Sequence, residues 1–134
     1  MLLEPALYIK KTIYIMAVEH LTTNGFLQKV AAVDKEKGRL EFLGTRPAVV
    51  DFYAAWCGPC RMLSPLLEEL ALEYEGRVDF YKINVDEEEN LSSMFDIRSI
   101  PTLLLFSHDT AMQRVRGAVG KAQLKDIIES TLLA

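Results

Sequence analysis

Cysteine is scarce: the 134 residues hold only two, Cys57 and Cys60, with two residues between them. That excludes a disulfide scaffold, because the bridges that stabilise small secreted proteins close long loops of unfolded chain. Basic charge is also short. Fifteen Lys and Arg stand against nineteen Asp and Glu, for a net charge of −4. The basic residues are scattered, so there is no stripe for holding phosphates, and nucleic-acid binding is not expected. No uninterrupted apolar run approaches the ~20 residues of a membrane-spanning helix. Proline and glycine gather into no linker, repeat or low-complexity tract, which excludes collagen-like and disordered classes. What remains is half hydrophobic and a quarter charged, the mix of one soluble globular domain.

The chain divides near residue 18. In residues 1–18, Lys10 and Lys11 precede a short apolar stretch, a faint likeness to a secretion signal. Against it, Glu4 and Pro5 lie in the leading part, and Glu19 and His20 follow where small residues would mark cleavage. The expectation is an N-terminal extension over 1–18, either an added arm or an upstream start with Met16 as the true initiator, followed by one domain over 19–134. The expected compartment is the cytoplasm, or an exported, periplasmic setting if the first segment is a signal.

From residue 21 onward the pattern is regular. Thr23 or Asn24 caps a helix carrying Phe26, Leu27, Val30 and Ala31, expected to run to the cluster at residues 35–38. Residues 40–43 form a brief strand or turn. Residues 47–53 are apolar on both faces and read as a central strand. Met62, Leu63, Leu66, Leu67, Leu70 and Tyr74 form the apolar stripe of a helix that contains Pro65, where a kink is expected. A strand follows over 78–85, then a helix over 87–95 capped by Asp86. Strands over 102–106 and 111–116 flank a turn at 107–110, and a last helix carries Leu124, Ile127, Ile128 and Leu132. The order βαβαβαββα predicts an α/β fold with a central mixed sheet and helices on both faces.

The chemistry concentrates at Trp56-Cys57-Gly58-Pro59-Cys60. It lies between a buried strand and an amphipathic helix, at the strand's carboxyl end, where open α/β sheets bind ligands. A thiol at a helix N-terminus faces free N–H groups and the positive end of the dipole, and both favour its thiolate. Cys57 is therefore expected to be nucleophilic near neutral pH. Residues three apart on a helix have Cβ atoms ~5–6 Å from each other, so a slight tightening brings Cys57 and Cys60 into disulfide range. Pro59 stiffens the turn without losing a hydrogen bond. Half of a zinc site is the other reading of such a pair, but zinc normally takes four ligands. There is no second such pair, and His20 and His108 fall in separate segments, so no metal is expected. An iron–sulfur cluster shared between two chains has equally little to support it.

Four stretches, residues 49–60, Lys82-Ile83-Asn84-Val85-Asp86, Arg98-Ser99-Ile100-Pro101-Thr102-Leu103 and Val115-Arg116-Gly117-Ala118, resemble the thioredoxin family over about residues 19–133. The resemblance implies the thioredoxin fold and dithiol–disulfide oxidoreductase activity. It implies no bound cofactor: electrons reach the Cys57–Cys60 disulfide from NADPH through a thioredoxin reductase, and the clients are disulfide-containing proteins. By the same resemblance Cys57 attacks the client disulfide, Cys60 resolves the mixed disulfide, and Trp56, Gly58 and Pro59 line the site. Ile100 and Pro101 match the family's cis-proline segment, Gly117 and Ala118 the opposite side of the client groove. Asp51, in the middle of an apolar strand, takes the proton of Cys60, with Lys82 moderating the buried charge; burial alone predicts a raised pKa for Asp51. A monomer is expected. Tyr53 stands where many members have tryptophan, and Arg116 where an apolar groove residue is usual.

A disulfide oxidase or isomerase of the same fold is the nearest rival, although Gly58 and Pro59 lack the histidine that makes such disulfides more oxidising. A non-catalytic binding subunit is the other, and it gives no use to a buried acid beside a thiol pair.

Overall fold

The computed structural model describes residues 17–34 and 36–134; the expected extension lies, up to residue 16, outside the described residues. Among the described residues, seven strands and four helices follow in order: β1 (Glu19–His20), α1 (Thr23–Lys29), β2 (Ala31–Asp34), β3 (Arg39–Phe42), β4 (Ala48–Tyr53), α2 (Gly58–Glu73), β5 (Asp79–Asn84), α3 (Glu89–Met94), β6 (Thr102–Phe106), β7 (Gln113–Arg116) and α4 (Lys121–Thr131). Five strands form the main sheet in the order β1-β5-β4-β6-β7. The first three are mutually parallel, and β6 and β7 run antiparallel to their neighbours. This is the mixed sheet with helices on both faces that the pattern predicts.

Strand β4 lies at the centre because nothing on it needs water except Asp51. Its alternation sends Val49 toward α2 and α4, into a core with Leu63, Leu67, Leu70, Leu124 and Ile128. Val50 and Phe52 go to the other face, against Phe26, Leu91, Phe95 and Phe106. Burying each large apolar side chain contributes roughly 1.5–3 kcal/mol. Val18, just inside the expected extension, is 2% exposed and belongs to the first of these cores.

Two expectations fail in detail. First, α1 stops at Lys29 instead of running to residue 35, and its cap is Thr22, whose hydroxyl accepts the Gly25 N–H. The residues beyond it pair as a hairpin, Ala31 opposite Phe42 and Asp34 opposite Arg39. Gly38 turns the chain at a φ of +62°, a backbone region that glycine enters freely, and the Asp34 carboxylate accepts the Glu36 and Lys37 N–H groups. Second, α3 begins at Glu89 and Asp86 does not cap it. Glu88 instead accepts the Thr23 N–H at 2.6 Å, joining the start of α3 to that of α1. Helix α2 spans the predicted apolar stripe with Pro65 inside it.

Candidate active site

Cys57 is the N-cap of α2, its Sγ accepting the Cys60 N–H at 3.2 Å, with Pro59 in the first turn. The two cysteines are joined as a disulfide, Cα atoms 5.3 Å apart. Both are nearly buried, at 5% and 2% exposure. The first turn of the helix thus donates an N–H to the sulfur of Cys57 at the positive end of the dipole, the arrangement that stabilises a thiolate once the bond is reduced.

Three segments close around the pair. Ala54, Tyr53, Val85 and Ile100 pack against it. The Ile100–Pro101 peptide is cis, and the Ile100 carbonyl oxygen lies 3.9 Å from Cys57 Sγ. Gly117, at a φ of +86°, donates its N–H to the Pro101 carbonyl at 2.9 Å, tying the end of β7 to this loop. Trp56 is 68% exposed, with its indole N–H donated to Asp86 Oδ2 at 2.8 Å. A groove of about 180 Å³ runs beside it, lined by Trp56, Val85, Ile97, Arg98, Ser99 and Ile100. Gly58 is half-buried and Pro59 exposed on the rim. Ala118 is exposed and does not pack against the disulfide.

The buried acid lies on the central strand, β4. Asp51 and Lys82 are opposite each other in the β4–β5 register and share the parity of Val49 and Phe80, which face α2. Asp51 is fully buried, and neither carboxylate oxygen has a hydrogen-bonding partner in the protein. Desolvation is the main cause of a pKa pushed up to about 7, with the Lys82 charge working weakly the other way. The Lys82 ammonium does not reach it. It donates to Ser64 Oγ at 2.8 Å and lies 4.5 Å from the centroid of the Tyr53 ring.

Chemically, the arrangement provides a dithiol–disulfide pair, a proton-holding group near neutral pH and an open groove beside Trp56 and Ile100. Among the described residues, no three His, Cys, Asp or Glu side chains gather as a metal site. His20 packs its ring against Tyr53, while His108 bonds the Gly44 carbonyl on the far side of the hairpin. Sequence reasoning missed Ser64 and the Asp86 contact to Trp56. Ser64 sits four residues after Cys60, a polar residue beside the buried stripe of α2, and nothing in the sequence ties it to Lys82.

Known proteins agree with this geometry. The thioredoxin family model matches residues 17–130. Thioredoxin M-type, chloroplastic, of Pisum sativum is 49% identical over 83 residues, covering 62% of this chain and 48% of that protein. The thioredoxin of Borreliella burgdorferi is 46% identical over 89 residues, 66% of this chain and 75% of that one; thioredoxin 1 of Nostoc sp. is 45% identical over 86 residues, 64% and 80%. The chain spans about half the length of the pea protein. The crystal structure of chloroplastic thioredoxin z superimposes with a TM-score of 0.70 at 31% identity, covering 84% of this chain and 92% of that one. On the family match across most of its length and on relatives near half identity, the chain belongs to the thioredoxin family.

Proposed function

We propose that the chain is a protein-disulfide reductase working by dithiol–disulfide exchange. The observation that carries the reading is the Cys57–Cys60 disulfide at the N-terminus of α2, with the Ile100 carbonyl oxygen 3.9 Å from Cys57 Sγ. In the reduced form Cys57 attacks one sulfur of a client disulfide, releasing the other as a thiolate and leaving a mixed disulfide. Asp51 takes the Cys60 proton, through water. The Cys60 thiolate then attacks Cys57 Sγ, so the Cys57–client bond breaks as the Cys57–Cys60 bond reforms and the second client sulfur leaves. Lys82 moderates the charge on Asp51. Ile100 and Pro101 flank an extended client segment held like an added strand; Trp56, Gly58 and Pro59 form one wall, and Gly117 and Ala118 the opposite one.

Recharging by a thioredoxin reductase that draws on NADPH, protein clients and a monomeric state belong to the same reading. So does the cytoplasm as the working compartment, supported by a chain whose two cysteines are a redox pair rather than a scaffold. Among the described residues no helix is long and apolar enough to cross a membrane.

The test is reduction of a protein disulfide with a dithiol as electron source. Cys57→Ser is expected to abolish turnover, and Cys60→Ser to leave client adducts trapped on Cys57. Adducts forming on Cys60 in the Cys57→Ser chain would reverse the roles. A reduction potential in the range of the disulfide isomerases, rather than of cytosolic dithiol reductants, would turn the reading toward oxidation.

A further inference from the structure

Lys82 and Asp51 face the same helix from paired positions on adjacent strands, and both are buried, Lys82 at 8% exposure. Opposite charges attract more strongly as the dielectric falls, yet the two form no ion pair. The ammonium is held elsewhere, by the Ser64 hydroxyl at 2.8 Å and the face of the Tyr53 ring at 4.5 Å. An acceptor oxygen and a π-face together replace part of the hydration that a buried ammonium loses.

The groups around this ammonium come from every element packed on it. Strand β4 brings Asp51 and Tyr53, and β1 brings His20, directly opposite Lys82 in register. Helix α2 brings Ser64 and Glu68, the latter with a raised pKa from burial and one buried, unpartnered oxygen. Glu87 acts on both Tyr53 and His20 from the loop after β5. Strand β6 places Leu103 opposite Asp51 and adds no charge there. Asp51 and Glu68 are therefore the two acids for which a released Lys82 would compete.

We propose that Ser64 is a positioning residue for the exchange reaction: with the Tyr53 ring it holds the Lys82 ammonium off the Asp51 carboxyl, so that Asp51 stays basic enough to take the Cys60 proton. The proposal rests on the reductase reading above. An ammonium against the carboxylate would favour its ionised form and weaken it as a base. A base works best with its proton affinity matched to the working pH. The serine thus sets how readily the second half of the exchange begins, without touching client or sulfur.

The experiment titrates the Asp51 side-chain carboxyl by carbon NMR in the reduced full chain, alongside the pH profile of disulfide reduction. Ser64→Ala is expected to weaken proton binding at Asp51 roughly threefold or more, moving its titration midpoint to lower pH by about 0.5, and to move the acid limb of the rate profile the same way. Ser64→Thr, which keeps the hydroxyl, should restore both, and Tyr53→Leu should shift the midpoint in the direction of Ser64→Ala. An unmoved Asp51 midpoint in Ser64→Ala overturns the proposal, as does a fall at Glu68 instead. The titration needs no turnover, so a chain that shows the shift yet reduces no disulfide would sink the reductase reading and leave the clamp standing.

Discussion

Gly117 and Gly58 both flank the disulfide, and a Cβ added to either would meet no atom within 4 Å. They differ in backbone alone. Gly117 sits at a φ of +86°, where a side chain costs about 1–2 kcal/mol, while Gly58 is the first residue of α2. Gly117→Ala should therefore lower the stability measured by chemical denaturation by about 1 kcal/mol, and Gly58→Ala should leave it unchanged or raise it by up to about 1 kcal/mol. Equal effects at the two positions would refute this assignment of the cost to φ. The residues of the pentapeptide were legible in the sequence because they are contiguous, and their chemistry follows from one helix terminus. Asp51 was legible for a related reason, being the single acid in an otherwise apolar strand. Ser64 was not, since its role exists only across the gap between α2 and β5, and no local pattern records which hydroxyl a lysine eighteen residues away will choose.

Among the elements, the strands of the main sheet that are apolar on both faces declared themselves, because burial on two sides leaves no polar alternation to misread. The hairpin of β2 and β3 did not. Phe26, Leu27, Val30 and Ala31 satisfy a helical spacing, and a short apolar run is ambiguous between the two periods; cross-strand pairing and the Gly38 turn decide it. What anchors the hairpin to the domain is Phe42, stacked on Phe106 at 5.9 Å between centroids and against His108 at 4.8 Å. The His108 ring also bonds the Gly44 carbonyl at 2.6 Å. Phe42→Ala should cost roughly 2 kcal/mol, below the 3–5 kcal/mol of a fully buried phenylalanine because the residue is only half-buried. Hydrogen exchange should show the amides of β2 and β3 losing protection while those of β4 keep theirs. A loss spread over β4 as well would mean that the hairpin is part of the central cooperative unit.

For the molecule as a whole, the buried carboxyl makes stability depend on pH. Asp51 binds its proton more tightly folded than unfolded, with a native pKa of about 7 against an ordinary value of 3.8. Its destabilising contribution is absent below about pH 4, grows as pH rises through the interval between the two values, and levels off above about 7. Each tenfold difference in proton affinity between the folded and unfolded chain is worth about 1.4 kcal/mol. Asp51→Asn should accordingly stabilise the fold by a few kcal/mol above neutrality and by little near pH 4, while slowing disulfide reduction. Thermal unfolding across that range checks it, and a difference that does not vary with pH would contradict it. The chain also contains a single tryptophan, and that one indole is the residue next to Cys57, exposed and fastened to Asp86. Its indole emission therefore reports from beside one bond: reducing Cys57 and Cys60 should change the intensity, which steady-state fluorescence with and without a dithiol checks, and an unchanged spectrum would contradict it.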